Sequence, residues 1–247
     1  MRYFIRLCFN GADFHGWQIQ KNANSVQAEL NNALGTVLKK KDIETIGCGR
    51  TDTGVHAKMF FAQFEHDAIE NTSGLIHQLN SILPHAIVIQ SIFPVRERDH
   101  VRFSATSRTY VYRLYSKKDP FLRDRSYFFP FETDIDRMNF FVKKLLDHND
   151  FSCFSKSNTQ ALTNICMITF AEWKSEGEEL IFTITSNRFL RNMVRAIVGT
   201  ILNAGLNKMS EKEFNDILES RSRSEAGISV PAHGLYLTDV TYPFLVF

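Results

Sequence analysis

Glu44-Thr45-Ile46-Gly47-Cys48-Gly49-Arg50-Thr51-Asp52-Thr53-Gly54-Val55-His56-Ala57-Lys58-Met59-Phe60-Phe61-Ala62-Gln63-Phe64-Glu65-His66 reads as strand, tight turn and strand. Glu44–Gly49 is the first strand, Arg50–Val55 the turn and Ala57–His66 the second strand. Upstream, Val26, Leu30, Ala33, Leu34, Val37 and Leu38 recur at helical spacing behind Ser25, a good N-cap, so a helix is expected to about Lys40. Downstream, Leu75, Ile76, Leu79 and Ile82 predict a shorter helix that stops before Pro84. The outermost elements are strands: Arg2–Phe9, and the apolar, β-branched run Ala86–Phe93. Outward from the loop the order is therefore β-α-β-β-α-β, two interleaved β-α-β units and the mark of a ferredoxin-like α+β domain.

The second half predicts the same order. Val101–Ser116 is expected as a long strand, with Thr109, Tyr110, Val111 and Tyr112 well suited to it. Asp134 caps a helix carrying Met138, Phe141, Val142, Leu145 and Leu146 on one face. Strands follow at Leu162–Trp173 and Leu180–Ser186, then a helix from Leu190 to about Ala204. Ser210 and Glu213 have the spacing of a capping box for an additional helix, and Leu235–Tyr242 is the last strand. Two ferredoxin-like, RRM-like domains are expected, 1–97 and 98–247, with mainly antiparallel sheets and no linker of biased composition between them. A four-stranded sheet with exposed aromatics is a common platform for single-stranded RNA.

Composition is that of a globular protein: 247 residues, 44% hydrophobic and 23% charged. The 22 Phe exceed what is usual, and a surplus beyond the core can stack on bases. A net charge of +2 does not announce a nucleic-acid binder, but the charge is unevenly spread. Arg96, Arg98, Arg102, Arg108, Arg113, Lys117, Lys118, Arg123 and Arg125 stand against only Glu97, Asp99, Asp119 and Asp124. Arg188, Arg191 and Arg195 form a second group with no acid among them. Such clusters suit a phosphate backbone, and they equally suit solvated strand and helix faces. Cys8, Cys48, Cys153 and Cys166 are spread without C-x-x-C or paired histidines, which argues against zinc and for a reducing cytoplasm. No apolar run is long enough for a membrane span, and Arg2, Arg6 and Asp13 break any signal-peptide pattern, so a cytoplasmic protein is expected.

Read alone, the loop around Asp52 leaves several chemistries open. Gly49 and Gly54 permit a sharp turn that presents the side chains between them. Thr51-Asp52-Thr53-Gly54 is ordinary Asx-turn material. A carboxylate kept ionised beside Arg50 can also act as a nucleophile or a base. Asp52-Thr53-Gly54 further matches the aspartic-protease triplet, which needs a second carboxylate from a homodimer and a shared proton that Arg50 opposes.

The motifs beyond the loop point one way. Gly49-Arg50-Thr51-Asp52, then Gly54-Val55-His56-Ala57, resembles the signature of the tRNA pseudouridine synthase A family, whose Asp is catalytic. In the same order come Gly11, Phe14, Gly16, Trp17 and Gln18 (G-x-x-F-x-G-W-Q), and Asn80, Leu83 and Pro84 (N-x-x-L-P). Arg102-Phe103-Ser104-Ala105 with Arg108, Tyr110 and Tyr112 follows. Phe189-Leu190 with Met193-Val194-Arg195 and Gly199, and finally Gly234-Leu235-Tyr236-Leu237, complete the series. The resemblance covers residues 3–242. The chain departs from the family at Phe9-Asn10 (usually Tyr-Asp), at Thr53 (usually Ala) and at Ala86 (often Asp).

The resemblance implies isomerisation of uridine to pseudouridine at nucleotides 38, 39 and 40 of the tRNA anticodon stem-loop, by a homodimer whose domains flank a basic cleft. No metal, nucleotide or redox cofactor is implied. Asp52 is implied as the catalytic carboxylate, and Tyr110 as the ring that stacks on the extruded uracil. Arg195, odd on an otherwise apolar helix face, is implied as the cation that keeps Asp52 ionised. Arg50 would displace the base or bind an adjacent phosphate, or simply pair with Asp52, and His56 reads as a structural histidine. A non-catalytic RNA-binding protein would share the basic residues and aromatics without needing Asp52.

Overall fold

The computed structural model describes residues 1–156 and 163–245. It is a mixed α/β structure of mostly antiparallel sheet, and its chain separates into two compact units, Met1–Thr106 with Tyr236–Phe247, and Ser107–Leu235.

The first unit runs β1 (Arg2–Phe9), α1 (Val26–Val37), β2 (Ile46–Gly47), β3 (His56–Glu65), α2 (Thr72–Ile82) and β4 (Ile87–Val95). Its strands lie in the order β4-β1-β3-β2, every neighbouring pair antiparallel. The centre is β1, whose Phe4, Ile5 and Leu7 are fully buried between two partners. The helix α1 starts where Ser25 predicts, its side chain accepting from the Ala28 N–H. Removing such a cap typically costs about 1 kcal/mol.

The second unit runs β5 (Ser107–Tyr115), β6 (Tyr127–Phe128), α3 (Ile135–Lys144), β7 (Ile168–Glu176), β8 (Glu179–Ser186), α4 (Met193–Gly205) and α5 (Glu211–Ser220). β5 pairs antiparallel with β8, and β8 with β7 through a turn at Gly177. The Asp134 cap and the full capping box of Ser210 and Glu213 form as their spacing predicts.

Four expectations are corrected. Residues 101–106 are a turn and not the start of a long strand, although Val and Phe there favour extended backbone. Local bonds win: the His100 imidazole accepts from the Arg102 and Phe103 N–H groups, and the Ser104 hydroxyl from the His100 N–H. The helix α4 begins at Met193 and not Leu190, because Asn192 adopts left-handed backbone at φ 67°. The strand expected from Leu162 begins on a residue outside those described, and the observed β7 starts at Ile168. The last strand, β9 (Leu235–Thr241), was expected to serve the second half, yet it pairs in parallel with β3, His56 opposite Tyr236 and Ala57 opposite Leu237.

Asn80 holds an irregular place in the sheet. The β1–β4 register shifts between Arg6↔Ser91 and Leu7↔Ile89, leaving Gln90 as an inserted residue. The Asn80 carboxamide, reaching from α2, accepts from the Ile89 N–H at 2.7 Å and donates to the Ile89 carbonyl at 2.9 Å. A single side chain therefore satisfies both backbone groups beside the bulge. Asn80→Ala is expected to lower unfolding free energy by about 1–3 kcal/mol, measured by urea denaturation, while Asn80→Asp, which keeps an acceptor only, should lose part of that amount.

Candidate active site

The Asp52 loop leaves β2, turns and enters β3. Its four-residue turn closes with the Val55 N–H donating to the Asp52 carbonyl at 3.1 Å. Gly54 takes φ +79° at the third position, where a type II turn requires left-handed backbone. Side chains then sort themselves: Thr51 and Val55 are buried, Asp52 is half-buried, and Arg50 and Thr53 are exposed. Exposure at position 53 explains why Thr is accommodated in place of the Ala usual in the similar family.

Under the loop lies the Gly11–Gln18 element. A side chain at Gly11 would overlap the Val55 carbonyl oxygen, and one at Gly16 the Thr51 carbonyl oxygen. Gly16 also sits at φ +84°. The loop backbone rests directly on these two bare positions. The Gly54 N–H donates to the Phe14 carbonyl at 3.2 Å, a third tie. Trp17 fixes the element from below: it is 1% exposed, stacks on Phe60 at 4.4 Å and leaves no room for a side chain at Gly47. Gln18 is held by the buried Gln27, whose carboxamide also accepts from the Ile19 N–H and donates to the Thr45 carbonyl. The Gly16 and Trp17 carbonyls accept the first backbone N–H groups of α1, so the same element starts that helix.

His56 is a structural histidine. It is 3% exposed, accepts the Gly11 N–H on Nδ1 at 3.1 Å, and stacks on Tyr236 of β9 at 4.6 Å and 19°. It thereby joins the loop, the Gly11 element and the last strand. Arg50 behaves differently from the simple pairing with Asp52. Among the described residues its guanidinium makes neither an ion pair nor a hydrogen bond, and it faces solvent.

Tyr110 and Arg195 belong to the second unit. Tyr110, on β5 opposite Ile184 of β8, is half-buried, and the Phe189 ring meets its own edge-on at 5.1 Å and 90°. Phe189, given no role by the sequence, is thus the support that fixes the Tyr110 ring. Tyr112, two residues along, is wholly buried, donates to the Pro231 carbonyl at 2.7 Å and has its hydroxyl pKa pushed far up by burial. Arg195 stands in the first turn of α4, where the helix dipole disfavours a cation. Its Nε donates to the Val230 carbonyl at 2.7 Å, and its own carbonyl accepts the Val230 N–H. That exchange is possible because Gly199 is bare: a side chain there would overlap the Ile228 carbonyl oxygen.

The basic clusters are partly consumed by the fold. Arg96 pairs with Asp99, Arg113 with Glu179 and Lys117 with Glu178, while Arg108 and Arg188 donate to the Asn187 and Thr163 carbonyls. Among the described residues no three His, Cys, Asp or Glu side chains gather as metal ligands, and no helix is long and apolar enough to cross a membrane.

Comparison with known proteins gives consistent matches. A family model described as tRNA pseudouridine synthase matches residues 141–243. The chain is 46% identical to a tRNA pseudouridine synthase A of Parabacteroides distasonis, over 98% of this chain and 96% of that protein. The proteins of the same name from Bacteroides thetaiotaomicron and Bacillus subtilis are 45% and 35% identical. Those alignments cover 100% and 98% of this chain, and 92% and 99% of the relatives.

Gly16→Ala adds both an overlap with the Thr51 carbonyl and a strained φ, which together are expected to cost about 1–3 kcal/mol or more. Hydrogen exchange should report it locally, as faster exchange of the Gly54 and Val55 amides than of the β1 amides.

Proposed function

The chain belongs to the tRNA pseudouridine synthase A family, isomerases that convert uridine to pseudouridine in tRNA, and we propose that it does so at nucleotides 38, 39 and 40 of the anticodon stem-loop with Asp52 as its catalytic carboxylate. The observation that carries this reading is the Asp52 loop itself: a half-buried carboxylate on a turn whose backbone is seated on Gly11 and Gly16, with an exposed arginine beside it. Rigid seating of this kind is what a reacting group needs, since small misplacements cost rate steeply. The aspartic-protease reading of Asp52-Thr53-Gly54 falls with the family membership.

The reaction balances without an outside reagent. The bond from ribose C1′ to uracil N1 breaks, the base turns, and C1′ bonds to C5. The proton displaced from C5 is matched by the one gained at N1, so substrate and product are isomers. Asp52 acts on the ribose, as a nucleophile or as a base. The target nucleotide must first leave its stack, at a cost of a few kcal/mol. Tyr110 is proposed to recover part of that cost by stacking on the uracil, about 1–3 kcal/mol, with Phe189 holding the ring in place. Arg195 is proposed as the cation that keeps the carboxylate charged, and its placement against the helix dipole supports a role other than helix stability. Arg50 is proposed as an RNA contact. No cofactor is invoked.

Each unit is proposed to be ferredoxin-like, the first supported by its antiparallel β4-β1-β3-β2 order. The proposed domain limits are 1–97 and 98–247, with β9 returning to the first sheet. A homodimer in the cytoplasm is the proposed assembly.

Asp52→Ala is expected to abolish tritium release from tRNA labelled at uridine C5 while leaving tRNA binding within about threefold of the parent, the spread of an ordinary surface change. Full turnover by that variant would sink the assignment. Tyr110→Phe should retain most activity and Tyr110→Ala lose it; equal rates for the two would show that the ring does not touch the base.

A further inference from the structure

Five phenylalanines stand exposed among the described residues. Three of them rest on another ring: Phe103 on His100 at 4.5 Å, Phe131 on Phe129 at 5.1 Å and Phe140 on Phe141 at 5.4 Å. Phe170 lies along strand β7. Phe121 is the most exposed of the five, at 83%, and meets no ring among the described residues. Folding gains almost nothing from this side chain, yet the chain holds its backbone firmly. The segment 116–126 leaves β5 after Tyr115 and returns to the same end of that strand, Tyr127 pairing opposite Leu114 and the Phe129 N–H donating to the Tyr115 carbonyl. Within it Pro120 fixes its own φ. The Asp119 carboxylate accepts the Phe121 N–H at 2.8 Å and the Asp119 carbonyl the Leu122 N–H at 3.3 Å. The Leu122 carbonyl then accepts the Arg125 and Ser126 N–H groups at 3.0 and 2.9 Å. The turn that carries the ring is ordered in advance, which lowers the cost of binding whatever the ring meets.

The charges of the same turn indicate what that is. Lys118 stands three residues before Phe121 and Arg123 two after it; both are exposed and make no ion pair or hydrogen bond among the described residues. The carboxylate of Asp119 is engaged by the turn itself, and Asp124 acts on His233. An apolar protein surface closing over Phe121 would have to strip water from both cations without replacing it. A nucleic-acid strand meets all three side chains at once, since it offers a flat base between two phosphates. We infer that Phe121 stacks on an unpaired base of the substrate tRNA, with Lys118 and Arg123 binding the phosphates on either side of it. This base is not the target uridine. Tyr110 and Tyr115 are five residues apart on β5, about 17 Å at the rise of a strand, so the turn lies well away from the ring proposed to hold the uracil. The inference rests on the reading of tRNA as substrate and Tyr110 as its stacking partner, and adds a second contact that sets the register of the strand.

The test replaces Phe121 by Ala, Leu and Trp in the full chain and measures binding of whole tRNA, beside Arg123→Ala and Asp52→Ala. All the Phe121 variants should melt with the parent, because the ring is exposed. Phe121→Ala should raise the tRNA dissociation constant about tenfold. The loss should fall on KM and not on kcat, because a stack remote from the reacting ribose is equally strong before and in the transition state. Phe121→Trp should bind at least as tightly as the parent, whereas Phe121→Leu, apolar but without a π-face, should bind like Phe121→Ala. Arg123→Ala should flatten the plot of log affinity against log salt by about one unit. Parental affinity in Phe121→Ala would overturn the proposal, and so would a leucine variant that binds as the tryptophan variant does. A change of sedimenting mass in Phe121→Ala with tRNA affinity intact would overturn it in favour of a contact between copies of the chain. These readouts are binding measurements, so they stand apart from the catalytic reading, which fails only if Asp52→Ala still turns over.

Discussion

Two carbonyl oxygens, those of Thr51 and Val55, occupy the space that side chains at residues 16 and 11 would need. Nearly everything at the first unit's site follows from that close approach. With Gly11 and Gly16 bare, the loop lies flat on the segment between β1 and α1, and the Gly54 and Gly11 N–H groups find partners in Phe14 and His56. The same segment supplies the carbonyls that open α1 and the Trp17 ring that packs on Phe60. Loop, helix start and sheet core are consequently coupled, and a change in any of them reaches Asp52 through backbone and not through a flexible side chain. The stacked Trp17–Phe60 pair, a contact of about 0.5–1.5 kcal/mol beyond simple burial, is small beside the number of backbone positions it fixes.

The second unit uses the same device. Gly199 lets the segment before Val230 cross α4 at backbone distance, and Arg195 then bonds across the crossing by side chain and main chain. An arginine in the first turn of a helix is electrostatically misplaced. Its bond to the Val230 carbonyl oxygen orients the guanidinium from the helix start. Tyr112 anchors the following residue, Pro231, from the sheet side. Asp52 and Arg195 are thus placed by glycine-enabled crossings, whereas Tyr110 is placed by strand pairing and the Phe189 ring.

Much of this was legible from sequence because it is local. Ser25, Asp134 and the Ser210–Glu213 box declare their helices through bonds that span three residues. Strand β1 declares itself by composition. The turn at 101–106 was not legible, because Val101 and Phe103 have strand character and the deciding bonds come from the flanking His100 and Ser104. Neither was the partner of β9, since pairing between positions 56 and 236 leaves no local trace. The Asp52 loop stood out as a turn but not as a chemical site. Its proposed role comes from the resemblance, and the reason for Gly11 and Gly16 beneath it only from the atoms they face. Arg50 shows the converse: sequence adjacency allowed a simple pair with Asp52, whereas the side chain is exposed and makes no ion pair or hydrogen bond among the described residues.

The pairing of β9 with β3 has a consequence for how the protein is made. A ribosome releases β1 through β4 and all of the second unit before the strand that stacks Tyr236 against His56. Until then, the edge of β3 that leads out of the Asp52 loop has open backbone groups at His56 and Ala57. Long-range strand pairing of this kind is slow, and an open edge invites pairing with other chains. The nascent polypeptide therefore carries the Asp52 loop beside an unfinished sheet for most of its synthesis, and translation that stalls before residue 236 would leave that edge of β3 open to pairing with other chains.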